Sequence, residues 1–513
     1  MQVIGDIARL GAKRYPDKVA LIMDDASLTF SQLNQLANRL AHGLLSLGVA
    51  AGDRVAILAF NCLEYPVVNY ACAKCGGILV PINFRYKRDE LVYVVNNSNP
   101  KVLFYGQEFS AMVEGAKNQF HSPVRLVAIS GDPLPPGFSV KGLTDGQSSS
   151  EPGIEVDPTS PSFIMYTSGT TGFPKGTLFS HASYLCVFMG MTLEGDLMRD
   201  DRVLVCLPLF HNGGLNAMLQ PTLMVGGTCL IVGRGFDPDK ILDAVARHRV
   251  TLTMWVPTQL AMLINHPRVT GYDLSTLKKI WYGSSAITPT TLEASMEVFK
   301  AGFYQWYGQV ETGMVSVLRP EDHLERSQCT GREMFNADLR IVDEEGKDTP
   351  VGQVGEIISA QKPLGMIGYY RMEEANKRTV RNGWIHTEDL ARVEGNGYFT
   401  IVDRLRDMII SGAENIYPKE IEDVISRHPA VREVAVFGIP DAIYGESVCA
   451  VVVKKEGHLL DQEEIINFCA SRLSSYKKPK RVEFIEDLPK NASGKVTKNV
   501  LREPHWANRK RRV

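Results

Sequence analysis

Residues Tyr166 to Gly176 combine four aliphatic hydroxyls (Thr167, Ser168, Thr170 and Thr171), three glycines (Gly169, Gly172 and Gly176) and Lys175. Glycines let the backbone adopt positive φ and turn its N–H groups inward, and the hydroxyls add further donors. Lys175 supplies a mobile positive charge. The composition is that of a cradle for a polyphosphate. It is not a Walker A loop, G-x-x-x-x-G-K-[ST], because Pro174 precedes Lys175 and Gly176 follows it.

Such a loop needs rigid elements to aim it. The apolar run Ser162–Tyr166 just before it reads as a buried strand. Upstream, roughly residues 1–157 alternate amphipathic helices with short apolar runs. Gln32 to Leu47 carries Leu33, Leu36, Ala37, Leu40, Ala41, Leu44 and Leu45 on one helical face, with Ser31 as the expected N-cap, and Arg54–Leu58 is a buried strand. Downstream, Ser180 is expected to cap a helix through Met191. Strands at 203–207, 228–232, 251–256, 279–282 and 303–307 then alternate with helices at 238–248 and 288–299. This alternation predicts an α/β fold with a mainly parallel, helix-covered sheet, whose ligands bind beyond the carboxyl ends of the strands. From the charged segment Asp403–Asp407 onward a compact α+β pattern takes over: a helix at 418–428, strands at 431–437 and 447–454, and a helix at 461–474. Two domains are expected, residues 1–404 and 405–513.

Composition narrows the function classes. At 513 residues the chain exceeds one hydrophobic core, and its 44% apolar and 22% charged residues are those of a globular protein. A net charge of −2 gives no field to draw nucleic acid or an anionic membrane. Val203–Gly233 carries no charge, but Pro208, Pro221 and several glycines break it, so it reads as strands and pocket lining rather than a membrane span. The nine scattered cysteines, including Cys72 and Cys75 of a C-x-x-C in an apolar helical pattern, read as buried thiols. Their odd number, with no signal peptide at the N-terminus, points to a cytoplasmic protein.

The 166–176 loop resembles the signature loop of the adenylate-forming superfamily, which includes acyl-CoA synthetases, peptide-synthetase adenylation domains and luciferases. Six further stretches resemble its motifs in the same order: Leu207–Asn216, Tyr282–Ala286, Tyr304–Glu311, Trp384–Asp389, Ser411–Asn415 and Pro489–Lys495. Gly76–Asn83 matches a structural core segment. Three positions depart from the pattern: Val310 for threonine, Glu388 for glycine and Ala413 for glycine.

The resemblance implies roles. ATP would be held by Thr167, Ser168, Gly169, Thr170, Thr171, Gly172 and Lys175 at the phosphates, by Gly283, Ser284, Tyr307 and Gly308 around adenine, and by Asp389 and Arg404 at the ribose. Glu311, with Thr167, would hold Mg²⁺. Lys495 would bridge the carboxylate substrate and the α-phosphate, joining Lys175, Glu311 and His211 as catalytic residues. Arg406 would be the hinge of a mobile C-terminal domain, and Gly412, Ala413 and Glu414 would line the coenzyme A tunnel. His211, Trp306, Gly308 and Gln309 would form the acyl pocket, with Gly308 leaving space and Trp306, two residues earlier on the same strand face, able to narrow it.

The implied reaction joins a carboxylic acid to CoA through an acyl-adenylate, with release of pyrophosphate. The uncharged 203–233 stretch offers no cation for a second carboxylate, which favours an apolar monocarboxylic acid: a medium- or long-chain fatty acid first, an aromatic or alicyclic acid such as cinnamate or benzoate second. A luciferase-type oxidase shares every motif. A nucleotide-binding protein of the same fold that has lost catalysis stays open through the three departures. The partners implied are small molecules, with no nucleic acid and no integral membrane segment, and the family is often homodimeric.

Overall fold

Strand alternation sets the layers of the large N-terminal domain. In the Arg54–Leu58 strand, Val55 and Ile57 join one core while Ala56 and Leu58 join another. In the Arg202–Val205 strand, Val203 and Val205 join that first core while Leu204 faces a third. The shared core also holds Leu33 and Leu40 of the Phe30–Ser46 helix, Val68 of Glu64–Lys74 and Phe188 of His181–Glu194. Helices thus lie between two sheets, with further helices on the outer faces. The computed structural model describes residues 1–167, 174–285, 287–411, 414–490 and 496–507.

The α/β expectation holds, with a correction to "mainly parallel". In the larger sheet, strands run parallel from Val19–Met23 through Thr228–Ile231, Arg202–Val205, Leu252–Trp255 and Lys279–Gly283 to Gly302–Gln309. At that strand the sheet changes character. Gly313, at φ +71°, closes a tight hairpin back into Gly313–Leu318, and the strands beyond it are all antiparallel. The second sheet is parallel around Arg54–Leu58, but Pro161–Thr167 and Lys175–Ser180 form an antiparallel hairpin.

Of the two expected helix caps, one is present. Ser180 does cap the His181–Glu194 helix, its hydroxyl accepting from Ser183 N at 3.0 Å. The second helix instead starts at Phe30 under a Thr29 cap, whose hydroxyl accepts from Gln32 N while Gln32 Oε1 accepts from Thr29 N, so Ser31 is not the cap. The uncharged stretch contains strands, as expected, and also a buried π-helical segment, Gly213–Leu219, leading into Gln220–Val225. Among the described residues no helix is long and apolar enough to cross a membrane. All nine cysteines are free.

A small C-terminal domain has its own sheet, Glu414–Ile416, Ile409–Ser411, Gly445–Lys454 and Val431–Asp441, with Arg481–Phe484 beside Gly445–Lys454. Its two apolar clusters draw every member from residue 409 onward. Arg406 lies in the turn between the Tyr398–Arg404 and Ile409–Ser411 strands. Asp403 ties the two parts together, accepting from Arg404 N at 2.7 Å and from Lys419 N at 3.0 Å.

Candidate active site

The phosphate loop is the tip of a hairpin: Thr167 pairs with Lys175, and Tyr166 with Gly176. Ser168, Gly169, Thr170, Thr171 and Gly172 lie outside the described residues. On the far edge of Lys175–Ser180 the short strand Gly368–Tyr369 pairs antiparallel, and Tyr370 N donates to Gly176 O at 2.7 Å. That edge brings Tyr369 to the loop. Its ring centroid is 5.0 Å from Lys175 Nζ, and its hydroxyl donates to Glu311 Oε1 at 2.8 Å. Burial, then the Glu311 carboxylate, push the Tyr369 phenol well above its ordinary range, so it stays a proton donor.

Glu311 occupies a tight turn, not a strand. Thr312 closes the turn, its hydroxyl accepting from Gln309 N at 3.0 Å and donating to Gly313 O at 2.8 Å. Because Thr312 is fully buried, it does not stand in for the threonine replaced by Val310. Met366 N donates to Glu311 O at 2.8 Å, which anchors the turn from a third segment.

Asp389 is the centre of the second cluster. One of its oxygens accepts from Tyr307 OH at 3.0 Å and Gln309 Nε2 at 2.7 Å, and the other is 3.0 Å from Arg404 Nε. Asp389 and Arg404 are direct cross-strand partners. Burial works against the Arg404 charge, but Asp389, Asp407, Tyr307 and Glu311 outweigh it and raise its pKa. Glu388, beside Asp389, sits at φ +58°, the conformation a glycine would adopt freely, and its N–H donates to Glu356 Oε1 at 3.0 Å. Ser284 is exposed at φ +68° after Gly283, where a Cβ would come within 2.3 Å of Trp306 O.

His211 is half-buried, and burial lowers its pKa, so the imidazole is neutral; its Nδ1 accepts from Gly213 N at 3.2 Å. Around it lies a neutral polar network. Asn212 Oδ1 accepts from Tyr184 OH at 2.8 Å and from Asn216 Nδ2 at 2.8 Å. As oriented here the bonds leave Asn216 Oδ1 buried without a partner among the described residues; with both amides turned over, Asn212 Nδ2 donates to Tyr184 Oη and to Asn216 Oδ1, and the unpaired end of Asn216 is its Nδ2. On the other side, Phe210 packs edge-on to Phe84 at 4.9 Å. A cavity of about 460 Å³ follows, lined by Phe60, Phe84, Phe109, Phe236, Arg85 and Arg234 among others.

The family profile of the AMP-binding enzyme matches residues 9–370, and that of the AMP-binding enzyme C-terminal domain matches residues 420–495. The chain belongs to the AMP-binding enzyme family. Feruloyl-CoA synthase of Amycolatopsis sp is 36% identical over 492 residues, 96% of each chain. The fatty acid–[acyl-carrier-protein] ligase ScoC of Streptomyces coeruleorubidus is 34% identical over 522 residues, 100% of this chain and 98% of that one. The crystal structure of the anthranilate CoA ligase AuaEII with anthranoyl-AMP superposes with a TM-score of 0.92 at 26% identity, over 99% of this chain and 98% of that one.

In this AMP-binding enzyme the expected residues fall into two groups. Thr167, Lys175, Glu311, Tyr307, Asp389 and Arg404 converge, with Gln309 drawn among them. Gln309 was expected in the acyl pocket, but its amide also donates to Thr387 O at 2.8 Å and so braces the Asp389 strand. Trp306 is buried in the core against Trp281, centroids 5.1 Å apart. The register shift between Tyr307 and Gly308 puts its extra residue, Val315, on the partner strand, so the alternation that sets Trp306 and Gly308 on one face is kept, and Trp306 joins Tyr304 in the core on that face. At Gly308 a Cβ would lie 2.0 Å from Gly313 O, so the glycine is required by the hairpin itself. Glu414 is exposed, on the arm of a hairpin whose tip, Gly412 and Ala413, lies outside the described residues, as does Lys495. Tyr369, Tyr184, Asn212 and Asn216 went unread. Only Asn212 and Asn216 carried a signal, as amides within an otherwise apolar stretch.

Proposed function

We propose that this AMP-binding enzyme is an acid–CoA ligase whose acid is aromatic and carries a hydrogen-bonding group on its ring. One observation carries the choice of acid: the buried, unpartnered end of the Asn216 amide on the segment that starts two residues beyond His211. A ring hydroxyl, which both donates and accepts, would satisfy either end, whereas an alkyl chain would leave it unpaired at a cost of about 1–3 kcal/mol. The names of feruloyl-CoA synthase and of the anthranilate ligase agree with this reading. The fatty-acid preference expected from the uncharged stretch takes second place, because lack of charge is not lack of polarity.

In the first step the carboxylate attacks the α-phosphorus of ATP, forming the acyl-adenylate and releasing pyrophosphate; in the second, the CoA thiol attacks the acyl carbon and AMP leaves. Lys175 and Lys495 offset the negative charge that develops on the phosphoryl oxygens. Asp389, held by Tyr307, Gln309 and Arg404, accepts the ribose hydroxyls. The neutral imidazole of His211 stands between the acid and the thiol. Glu311 and Thr167 offer the hard oxygen donors that Mg²⁺ takes, and among the described residues only one oxygen of Glu311 is engaged, by Tyr369. When bound, the ion would neutralise phosphate charge. The aromatic and arginine-lined cavity beyond Phe210 suits the adenine and diphosphate of CoA. We place the domain boundary after Arg404, with Arg406 as the hinge that lets one site serve two nucleophiles.

Acid-dependent pyrophosphate release, with ferulate, anthranilate, benzoate, decanoate and palmitate in turn and acyl-CoA identified by mass, tests this reading. Turnover is expected with the ring-substituted acids and to fall for benzoate; a preference for palmitate would sink the aromatic assignment.

A further inference from the structure

The strands that carry the site have a second end. Beyond the carboxyl ends of Arg202–Val205 and Lys279–Gly283 lie His211 and Ser284. At their amino ends, with that of Leu252–Trp255, opens a separate cavity of about 610 Å³. Strands of four or five residues, rising about 3.3 Å per residue, set the two ends roughly 15 Å apart. A nucleotide bound at the catalytic end leaves this cavity clear.

Its walls carry Arg202, Arg247, Arg249 and Lys278, with the hydroxyl groups of Thr251 and Thr276, and none of the lining residues bears a carboxylate. Of the acids beside it, Asp201 pairs with Lys279 Nζ at 2.7 Å and accepts from Thr251 Oγ1 at 2.6 Å, while Asp273, which feels the Arg249 charge, accepts from Ser275 N at 3.0 Å. Arg202 Nε donates to His248 O at 2.6 Å, which fixes its guanidinium at the wall. Among the described residues Arg249 and Lys278 form no salt bridge, and Arg247 has only a 3.6 Å contact with exposed Asp25. Arg249 holds φ +51°, a left-handed backbone that a residue with a Cβ adopts at a cost. Thr276 Oγ1 is buried and unpartnered. Burial, then the charges of Arg247 and Arg202, depress the His248 pKa against an opposing effect of Asp243.

Four cations gathered around a cavity whose own lining carries no carboxylate repel one another, and an anion with several oxygens relieves that repulsion while accepting from each. We propose that this cavity is a second, non-catalytic anion site that takes a soluble small molecule bearing at least two phosphoryl groups. A single phosphate would leave two of the four cations unmatched. Phosphate esters also occur on lipid surfaces, so the test separates the two sources.

Tripolyphosphate is titrated calorimetrically into the full-length enzyme and into the double variant Arg249→Ala/Lys278→Ala, with Arg249→Lys/Lys278→Arg as charge-preserving control. Wild type and control should show a binding event that the alanine variant makes about 100-fold weaker, that fades with added salt, and that leaves acid-dependent pyrophosphate release unchanged. Identical titrations for wild type and alanine variant overturn the site. Co-sedimentation with phosphatidylcholine vesicles, with and without phosphatidylglycerol, forms the second arm. Sedimentation that depends on Arg249 and Lys278, without a tripolyphosphate event, overturns the soluble ligand in favour of a lipid headgroup.

Discussion

Tyr369 joins Lys175 to Glu311: its ring lies 5.0 Å from the lysine ammonium, and its hydroxyl donates to the carboxylate at 2.8 Å. One side chain thus holds both a cation and a carboxylate in place. Tyr369→Phe keeps the ring and removes the bond. It should lower acid-dependent pyrophosphate release about tenfold, a loss of about 1–1.5 kcal/mol, with ATP KM rising more at low Mg²⁺. Unchanged release would remove Tyr369 from the site.

Asp389 is buried and Arg404 is its partner at 3.0 Å. Asp389→Ala should destabilise the fold by about 2 kcal/mol, less than a fully buried pair, because the Arg404 side chain is 32% exposed. Thermal melting measures this, and ATP protection against melting should vanish with it. A melt like the wild type's, with ATP protection intact, contradicts the ribose role.

Arg234 lies over the Phe60 ring at 4.8 Å on the wall of the cavity beyond Phe210. If that cavity receives CoA, Arg234→Ala should raise the KM for CoA about tenfold and leave acyl-adenylate formation in its absence untouched. A change in the first half-reaction alone would assign the cavity to the acid instead.

Glu388 pays a backbone cost at φ +58°. Glu388→Gly relieves about 1–2 kcal/mol of that cost and adds about 0.5–1 kcal/mol of lost unfolded-state freedom. The urea midpoint should therefore rise by a small amount; a lower midpoint would show that the Glu388 side chain stabilises the turn.

Asp403, at the junction of the domains, has its carboxyl lifted from 3.8 to about 6, chiefly by burial, with Lys498 opposing and Glu422 adding to the shift. The folded chain keeps a proton that the unfolded chain has lost, so this group lowers stability as pH rises from about 4 to about 6. In Asp403→Asn that downward contribution should disappear, seen as a difference in the slope of denaturation midpoint against pH. Parallel slopes would mean that Asp403 is ionised throughout. The absolute midpoint is not the readout, since asparagine offers one acceptor oxygen to the two N–H groups that Asp403 serves.

The chemistry of the chain was legible in its sequence because it rests on local grammar. The hydroxyls, glycines and Lys175 of the phosphate loop, and the spacing of the stretches after it, depend on neighbours a few residues apart. So did the helix cap at Ser180. The tertiary structure alone decided which side chains meet. Tyr369 reaches Glu311 across 58 residues and Gln309 reaches Asp389 across 80, both through strand pairings that no periodicity announces. Alternation set Trp306 on the face of Tyr304 and Gly308, but only packing against Trp281 decides that this face turns into the core. The amides of Asn212 and Asn216 were visible as residue types, but only folding against Tyr184 satisfies one and leaves one end of the other unpaired. Residue type sets what a group can bond; only the fold's register sets which bonds are already taken.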